Sequence, residues 1–289
     1  AVAERMKIWA YAFFVFIFCI IIYPLAANWV WNPNGWLANM GFNDFAGSAA
    51  VHALGGFAAL ASAIVLGPRL GKYGPNGEIN AIPGHNLTLA AVGAFILWFG
   101  WFGFNAGSAL GANEVAIVAF VATHVAAAAG GISWMVAEWV HRGKPTVLGV
   151  ASGVIAGLAT ITPGAGFIGP LSALCIGLAA GAICYGAVVW KVKLGYDDSL
   201  DVVGIHGVGG FMGILATGLC ASVGAQGLFF GHASQFGIQI LLAVVTLVFA
   251  LVGTYGILKV IDLTIGLRVS SHDEEVGLDL SQHSERAYS

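Results

Sequence analysis

The sequence predicts an all-α fold: a polytopic membrane helix bundle that contains an inverted repeat. Hydrophobic residues make up 58% of the 289 residues and charged residues only 9%, whereas a soluble domain carries about 25% charged residues. In the bundle that the apolar stretches predict, all lysines and arginines fall on the same side of the membrane. A six-residue frame also occurs twice, in stretches that would cross the membrane in opposite directions.

Eight apolar stretches reach or approach the length of about 20 residues that a membrane span requires. They are residues 8–31, 46–66, 87–106, 115–140, 146–161, 168–190, 202–222 and 236–261. We expect residues 1–262 to form a transmembrane core and residues 263–289 to form an acidic cytoplasmic tail. We expect this tail to be extended and to rest on four basic loop residues: Arg142, Lys144, Lys191 and Lys193.

The basic residues predict the orientation, because cytoplasmic loops carry an excess of lysine and arginine. All eleven lie before the first stretch, at or beyond the end of the last, or in alternate loops. The loops on the opposite side, residues 32–45, 107–114, 162–167 and 223–235, contain none. Both termini are therefore predicted to be cytoplasmic in a plasma or inner membrane. The net charge of −3 argues against nucleic acid as a partner.

The repeated frame places a histidine in each copy: HALGGF begins at His52 and HGVGGF begins at His206. The two stretches run in opposite directions, and an inverted repeat places related residues near a shared axis at mid-membrane. We therefore expect the two imidazoles to lie within hydrogen-bonding distance. An aspartate precedes each histidine, and we pair Asp44 with Asp201 as equivalents in the repeat.

Ionisable side chains inside a bilayer are costly and are candidates for function. A single histidine more often bonds to a neighbouring helix, as we expect of His124, but two in matched contexts favour a shared role. The glycine pair after each histidine and the series Gly149, Gly153 and Gly157 predict close helix packing. The four cysteines lack CxxC spacing, so we expect buried apolar side chains, not a disulfide framework or a metal site.

Aromatic residues cluster at the predicted outer ends of the first and third stretches: Trp29, Trp31, Trp36, Trp98, Phe99, Trp101, Phe102 and Phe104. Such residues also form belts at membrane interfaces. Here Asn105 and Ser108 follow at once and add polar partners. Because a ring face attracts a cation by about 0.5–2 kcal/mol, the cluster predicts an external cation site.

Three motifs resemble the signatures of the ammonium transporter (Amt/Mep/Rh) family: DFAGSAAVHALGGFAALASAIVLGPR, GWFGFNAGSA and DVVGIHGVGG. The resemblance covers essentially the whole chain and is closer to the Amt branch. It implies that His52 and His206 are the paired pore histidines, that Phe104 is a gate and that Asp44 gives structural support. It also implies an external ammonium recruitment site made by three residues: Trp31, Ser108 and Trp101.

The resemblance further implies ammonium transport without a cofactor, and no enzyme activity. The cation would be recruited outside and deprotonated, and neutral ammonia would pass the histidines. The implied partners are ammonium or ammonia, the lipid membrane, two further copies in a homotrimer and a PII-type regulator at the cytoplasmic face. Family members have eleven spans and this chain supplies eight, so we expect the first three spans, with an outer gating phenylalanine, to lie outside it.

Two other functions remain open at this point. The same fold can serve as an ammonium sensor that signals through an attached domain, although no such domain follows the tail in this sequence. The second alternative is a membrane enzyme that holds a metal on the two histidines. A metal requires three or four ligands. No carboxylate accompanies both histidines at mid-span, so transport is the favoured function.

Overall fold

The computed structural model describes residues 1–286, and each of the eight predicted spans is a helix long and apolar enough to cross a membrane. We number them α1 to α8: Ile8–Asn39, Ser48–Leu66, Leu87–Gly107, Glu114–Arg142, Val147–Gly164, Pro170–Lys191, Val203–Cys220 and Ala233–Thr264. Two short helices follow, α9 (Ser271–Val276) and α10 (Leu278–His283). No β-strand occurs in the described part of the chain, so the all-α prediction is confirmed.

Several spans contain turns that depart from α-helical geometry. π-helical turns occupy Phe18–Ile22 in α1, Ser48–Ala53 at the start of α2 and Val203–Val208 at the start of α7. Such turns insert one residue into the helical ladder and are frequent at functional sites. The turns in α2 and α7 contain the two repeated histidines, so the inverted repeat extends to the local backbone conformation.

Helix α5 packs directly against α4 through the predicted glycine series. A Cβ atom added at Gly149 would lie 2.1 Å from Glu138 Oε2, one at Gly153 would lie 2.5 Å from the Gly130 carbonyl oxygen, and one at Gly157 would lie 2.2 Å from the Ala126 carbonyl oxygen. At Gly153 and Gly157 no side chain fits, so the backbones of the two helices are in contact there, whereas Gly149 lies against the Glu138 side chain. The predicted packing role of the series is confirmed.

Helices α2 and α7 cross at the second glycine of each repeated frame. A Cβ atom on Gly56 would lie 2.1 Å from the backbone nitrogen of Gly207, and one on Gly210 would lie 2.7 Å from that of Ala53. Gly55 differs, since no atom lies within 4 Å of the corresponding position. The crossing therefore depends on Gly56 and Gly210, and it holds the two histidines at a fixed separation.

One face of the bundle is joined by a buried network of ion pairs and hydrogen bonds around Arg5. The Arg5 guanidinium is fully buried and donates to the carbonyl oxygens of Gly67 (2.8 Å) and Asp197 (2.6 Å). The Asp197 carboxylate accepts two bonds from the Arg69 guanidinium, at 2.8 and 3.0 Å. Arg69 also pairs with Glu4 at 2.5 Å. The network joins the N-terminal segment to the loops that follow α2 and α6.

The two ends of the described chain lie together on this same face. The backbone nitrogen of Lys7 donates to the Leu267 carbonyl at 2.9 Å, and that of Val269 donates to the Arg5 carbonyl at 3.1 Å. The structure thus agrees with an even number of crossings, as predicted.

The tail differs from the prediction in conformation and in contacts. It is helical, because Ser270 caps α9 by accepting a hydrogen bond from the backbone of Asp273, and acidic residues in the first turn favour a helix N-terminus. The Glu274 carboxylate pairs with Arg268 and accepts from the backbone nitrogen of Leu70. No ion pair joins the described tail to the four predicted basic residues. Residues 287–289 lie outside the described residues.

The cysteine prediction was wrong for two of the four residues. Cys19 and Cys175 are exposed on the bundle surface, whereas Cys184 is buried and Cys220 is intermediate. The surface of a membrane helix faces lipid, and an apolar thiol has no need of burial there.

We predict that Gly56→Ala destabilises the protein by about 1–3 kcal/mol, the typical cost of overpacking. Gly55→Ala is the matched control, and it should be neutral or stabilising because alanine favours a helix over glycine. Thermal unfolding of the detergent-solubilised variants measures both effects. Equal unfolding temperatures for the two variants would contradict the assigned crossing.

Acid should weaken the Arg5 network through Asp197. Burial alone would raise the pKa of Asp197, but the hydrogen bonds and charge of Arg69 lower it to about 2. The ionised carboxylate therefore stabilises the folded state by about 2 kcal/mol above the unfolded-state pKa of about 4. This contribution should be lost as the pH falls from about 4 to about 2.

Unfolding free energies measured across that pH range, in wild type and in Asp197→Asn, test this expectation. The variant should be less stable above pH 4 and should show a shallower pH dependence below it, because it has no carboxylate to protonate. An unchanged slope in Asp197→Asn would show that another group is responsible.

Candidate functional site

The two repeated histidines meet between α2 and α7, and the predicted approach is confirmed. The Nδ1 atoms of His52 and His206 lie 3.3 Å apart, and the ring centroids lie 5.3 Å apart at an interplanar angle of 27°. His52 is 7% exposed, and its Nε2 is buried with no hydrogen-bond partner within the described chain. The site therefore presents an unsatisfied ring nitrogen within an apolar enclosure.

The contact between the Nδ1 atoms constrains the protonation of the pair. If both imidazoles are neutral, one Nδ1 donates its hydrogen and the other accepts it. The ring that donates then has a bare Nε2, and the ring that accepts has an Nε2–H group. The pair can thus accept a hydrogen bond at one end and donate one at the other, and exchange of tautomers reverses this polarity.

Trp101 stacks against both histidines. Its ring centroid lies 5.1 Å from that of His52 and 6.4 Å from that of His206, at interplanar angles of 22° and 6°. The side chain is buried, and its Nε1 donates to the Thr162 hydroxyl at 3.0 Å. Thr162 lies in the 3₁₀ turn that ends α5. Trp101 is consequently fixed at both its ring face and its polar edge.

Phe104 covers His52 from α3, one helical turn beyond Trp101. The ring centroids of Phe104 and His52 are 5.7 Å apart, and those of Phe104 and Trp101 are 5.9 Å apart. Phe104 is 39% exposed. Phe104 therefore lies against both His52 and Trp101 while part of its ring stays exposed.

Of the three predicted recruitment residues, Trp101 is buried against the histidines and does not lie at an external surface, whereas Trp31 and Ser108 bond to two different residues. Trp31 Nε1 donates to the Asp44 carbonyl oxygen at 2.8 Å, and the Trp31 ring packs on Gly47. The Ser108 hydroxyl donates to the Phe104 carbonyl oxygen at 2.8 Å. No hydrogen bond or ring contact joins Trp31 to Ser108 in residues 1–286, although Trp31 remains 40% exposed.

Asp44 caps the π-helical turn that contains His52. One carboxylate oxygen accepts from the backbone nitrogens of Gly47 and Ser48, and the other accepts from those of Ala49 and Ala50, at 2.7 to 3.2 Å. With both oxygens occupied in this way, the side chain acts as a cap and not as a free ligand. The structural support expected of Asp44 agrees with these contacts.

The equivalent residue in the second repeat is Asp198, and the predicted pairing of Asp44 with Asp201 was wrong. Asp198 precedes His206 by eight residues, as Asp44 precedes His52, and it is fully buried. Its carboxylate accepts from the backbone nitrogens of Val203 (2.7 Å) and Leu200 (3.3 Å). Asp201 instead pairs with Lys191. The equal eight-residue spacing was a signal in the sequence that identifies Asp198.

Sequence reasoning missed one buried polar anchor beside the site, Thr162, which holds Trp101. It directly follows the fifth apolar stretch, and a hydroxyl residue in that position is the signal that could have identified it. Asn105, which the sequence predicted as a polar partner of the external cation site, is instead fully buried and donates to the Thr123 hydroxyl at 2.9 Å. His124 lies apart from the site, against Trp98 and Phe102.

Comparison with known proteins gives consistent results. The model of the Ammonium Transporter Family matches residues 1–288. "Ammonium transporter" of Bacillus subtilis is 46% identical over all of this chain and 71% of its own length, and "Ammonium transporter Amt1" of Archaeoglobus fulgidus is 46% identical over all of this chain and 73% of its own.

Two solved structures also match this fold closely. A "Sensor Amt Protein" has a TM-score of 0.93 at 33% identity, covering 98% of this chain and 72% of its own. Saccharomyces cerevisiae Mep2 has a TM-score of 0.84 at 35% identity, covering 92% of this chain and 62% of its own.

We predict that Thr162→Val lowers the free energy of unfolding by about 1–3 kcal/mol, because the buried Trp101 N–H loses its acceptor. Thr162→Ser retains the hydroxyl and is the control, with an expected loss of less than about 1 kcal/mol. A double-mutant cycle with Trp101→Phe isolates the interaction. If Thr162→Val costs the same in both backgrounds, the hydrogen bond does not stabilise Trp101.

Proposed function

The chain belongs to the ammonium transporter family, and from this premise we propose that it transports ammonium along a path lined by His52 and His206. The observation that carries the proposal is the contact between the two imidazoles, which are enclosed by Trp101 and covered by Phe104. It provides polar, neutral ring nitrogens within an otherwise apolar bundle.

Recruitment of the cation begins at the outer aromatic rings. Trp31 and Phe104 are each about two-fifths exposed, so their ring faces are accessible to a cation, and such contacts contribute about 0.5–2 kcal/mol each. The Ser108 hydroxyl adds an acceptor beside Phe104. Trp31 and Ser108 lie on different spans, so in this proposal the cation binds between the two residues and contacts both.

Deprotonation follows from the cost of moving a bare cation into the path. Displacement of Phe104 opens the way to His52. Burial of an unpaired ion is far more costly than burial of a neutral polar molecule, so the ammonium ion transfers its proton to the bare Nε2 of the histidine pair and becomes ammonia. The paired imidazoles offer one acceptor and one donor to a neutral ammonia molecule and can relay a proton by exchanging tautomers.

A sensor function is the second candidate, and one comparison bears on it. The solved structure of a protein named as a sensor superposes closely on this chain, but at 33% identity. Two relatives named as transporters share 46% identity. The closer relatives therefore favour transport.

The orientation and partners are parts of the same proposal. Both ends of the described chain lie on the face that carries the basic residues, which supports a cytoplasmic location for both. The exposed side of α4 carries His124 within the span, and an imidazole is poorly accommodated by lipid. In a homotrimer, the neighbouring copies would cover this side of α4 and shield His124 from lipid. A PII-type regulator would bind at the cytoplasmic face, beside the tail, which Glu274 holds to the backbone nitrogen of Leu70.

Substitutions of His206 and Phe104 distinguish proton removal by the histidines from gating by the phenylalanine. We predict that His206→Asp admits potassium, because a carboxylate charge in a low-dielectric path attracts an intact cation. The potassium current should rise at least about tenfold, which requires a barrier lowered by only about 1.4 kcal/mol. Phe104→Ala should widen the entrance and still exclude potassium. His206→Asn removes the ring without adding charge and is the control.

The measurement is current across membranes reconstituted with protein expressed from its complete gene, with ammonium or potassium as the only permeant cation. Two results would contradict the role given to the histidines. One is an equal loss of selectivity in His206→Asp and Phe104→Ala. The other is normal ammonium transport in His206→Asp with no potassium current.

A further inference from the structure

Gln239 is a fully buried polar side chain within the apolar helix α8, and all of its polar groups are bonded. Its Nε2 donates to the carbonyl oxygens of Asn43 (2.8 Å) and Ile214 (3.2 Å). Its Oε1 accepts from the backbone nitrogen of Asn43 at 3.1 Å. Polar side chains inside membrane helices are costly to place there, which marks this residue as a candidate for a specific role.

The side-chain amide holds Asn43 as a paired backbone strand would, by one donated and one accepted hydrogen bond. The segment is held on its other side as well, since the backbone nitrogen of Phe45 donates to the Pro163 carbonyl at 2.8 Å. The residue between these two attachments is Asp44. Its backbone position is therefore set by contacts from α8 and α5.

Two parts of the transport site depend on Asp44. Its carbonyl oxygen accepts from Trp31 Nε1, and its carboxylate caps the turn that contains His52. A displacement of Asn43 would move both groups together. Helix α8 supplies neither ring nor histidine to the path, yet through Gln239 it sets where Trp31 lies relative to His52.

Close packing of α7 on α8 keeps Gln239 in place. A Cβ atom on Gly218 would lie 2.9 Å from Gln239 Cγ and 3.0 Å from its Cβ. The amide thus has little freedom to rotate away from Asn43. Gln235, one turn earlier, differs from Gln239, since it is partly exposed and its side chain donates a single hydrogen bond within residues 1–286, to the Gly41 carbonyl oxygen at 3.1 Å.

We propose that Gln239 is a positioning residue of the external ammonium site, which it acts on through Asn43 and Asp44 without contacting the substrate. The inference rests on the proposed function, because it presumes that Trp31 takes part in recruitment. Loss of the amide should weaken recruitment of ammonium and leave the histidine pair able to exclude potassium.

The test is the ammonium concentration for half-maximal current in reconstituted membranes, using protein expressed from its complete gene. Gln239→Met conserves volume and removes the amide. Its half-saturation should rise by about three- to tenfold, in line with the loss of one or two hydrogen bonds, with little change in maximal current or potassium exclusion. Gln235→Met is the matched control and should leave the half-saturation unchanged.

A second variant keeps the proposal testable if Gln239→Met does not fold. Gly218→Ala keeps Gln239 but crowds it, so it should shift half-saturation in the same direction by a smaller factor. If both variants fold, unfold at lower temperature and keep the wild-type half-saturation, Gln239 has only a structural role and the proposal is wrong.

Trp31→Leu, measured in parallel, distinguishes the inference from the function on which it rests. A raised half-saturation in Trp31→Leu but not in Gln239→Met overturns the inference alone. An unchanged half-saturation in Trp31→Leu overturns recruitment by Trp31, and the inference with it.

Discussion

The hydrogen bond between the Nδ1 atoms of His52 and His206 is the contact on which the rest of the site depends. Two imidazoles in an apolar bundle are acceptable only when they are neutral and partnered, because an uncompensated charge or donor there is costly. Each ring satisfies one nitrogen of the other, and the Nε2 of His52 is left without a hydrogen-bond partner among the described residues. A lone histidine at this depth would need other protein groups to bond both of its ring nitrogens.

The surrounding architecture serves to hold that contact in place. Each histidine lies in a π-helical turn capped by an aspartate eight residues earlier, Asp44 in one repeat and Asp198 in the other. The spans then cross at Gly56 and Gly210, where the helix backbones touch. Rigid caps and a side-chain-free crossing leave the rings little freedom to separate. The geometry of the two imidazoles is therefore set largely by the backbone.

Much of this arrangement could be predicted from the sequence. Apolar length and the placement of basic residues identify eight spans, and the repeated frame in opposite directions predicts the imidazole contact. The physical reason is that bilayer thickness and inverted symmetry leave few alternatives. The partner of Asp44 was misassigned because the aspartate nearest to His206 was chosen, although Asp198 has the same eight-residue spacing from its histidine as Asp44.

Other features depend on distances that no local pattern encodes. Trp31 and Ser108 lie on different spans, so their separation is set by how α1 and α3 are rotated in the bundle. Gln239 is a single polar residue whose principal partner lies 196 residues earlier in the chain. The helical tail depends on one cap at Ser270, which outweighed the acidic composition that favoured an extended segment.

The Arg5 network also has a consequence for biogenesis. A chain is synthesised and folded from its N-terminal end, but Arg5 bonds to residues 62 and 192 positions further along. The Arg5 guanidinium can engage Gly67 when α2 has been inserted and Asp197 only after α6. The bridge between Met6 and Arg268 closes last. A nascent protein interrupted before residue 197 would therefore lack one of the carbonyl acceptors of the Arg5 guanidinium.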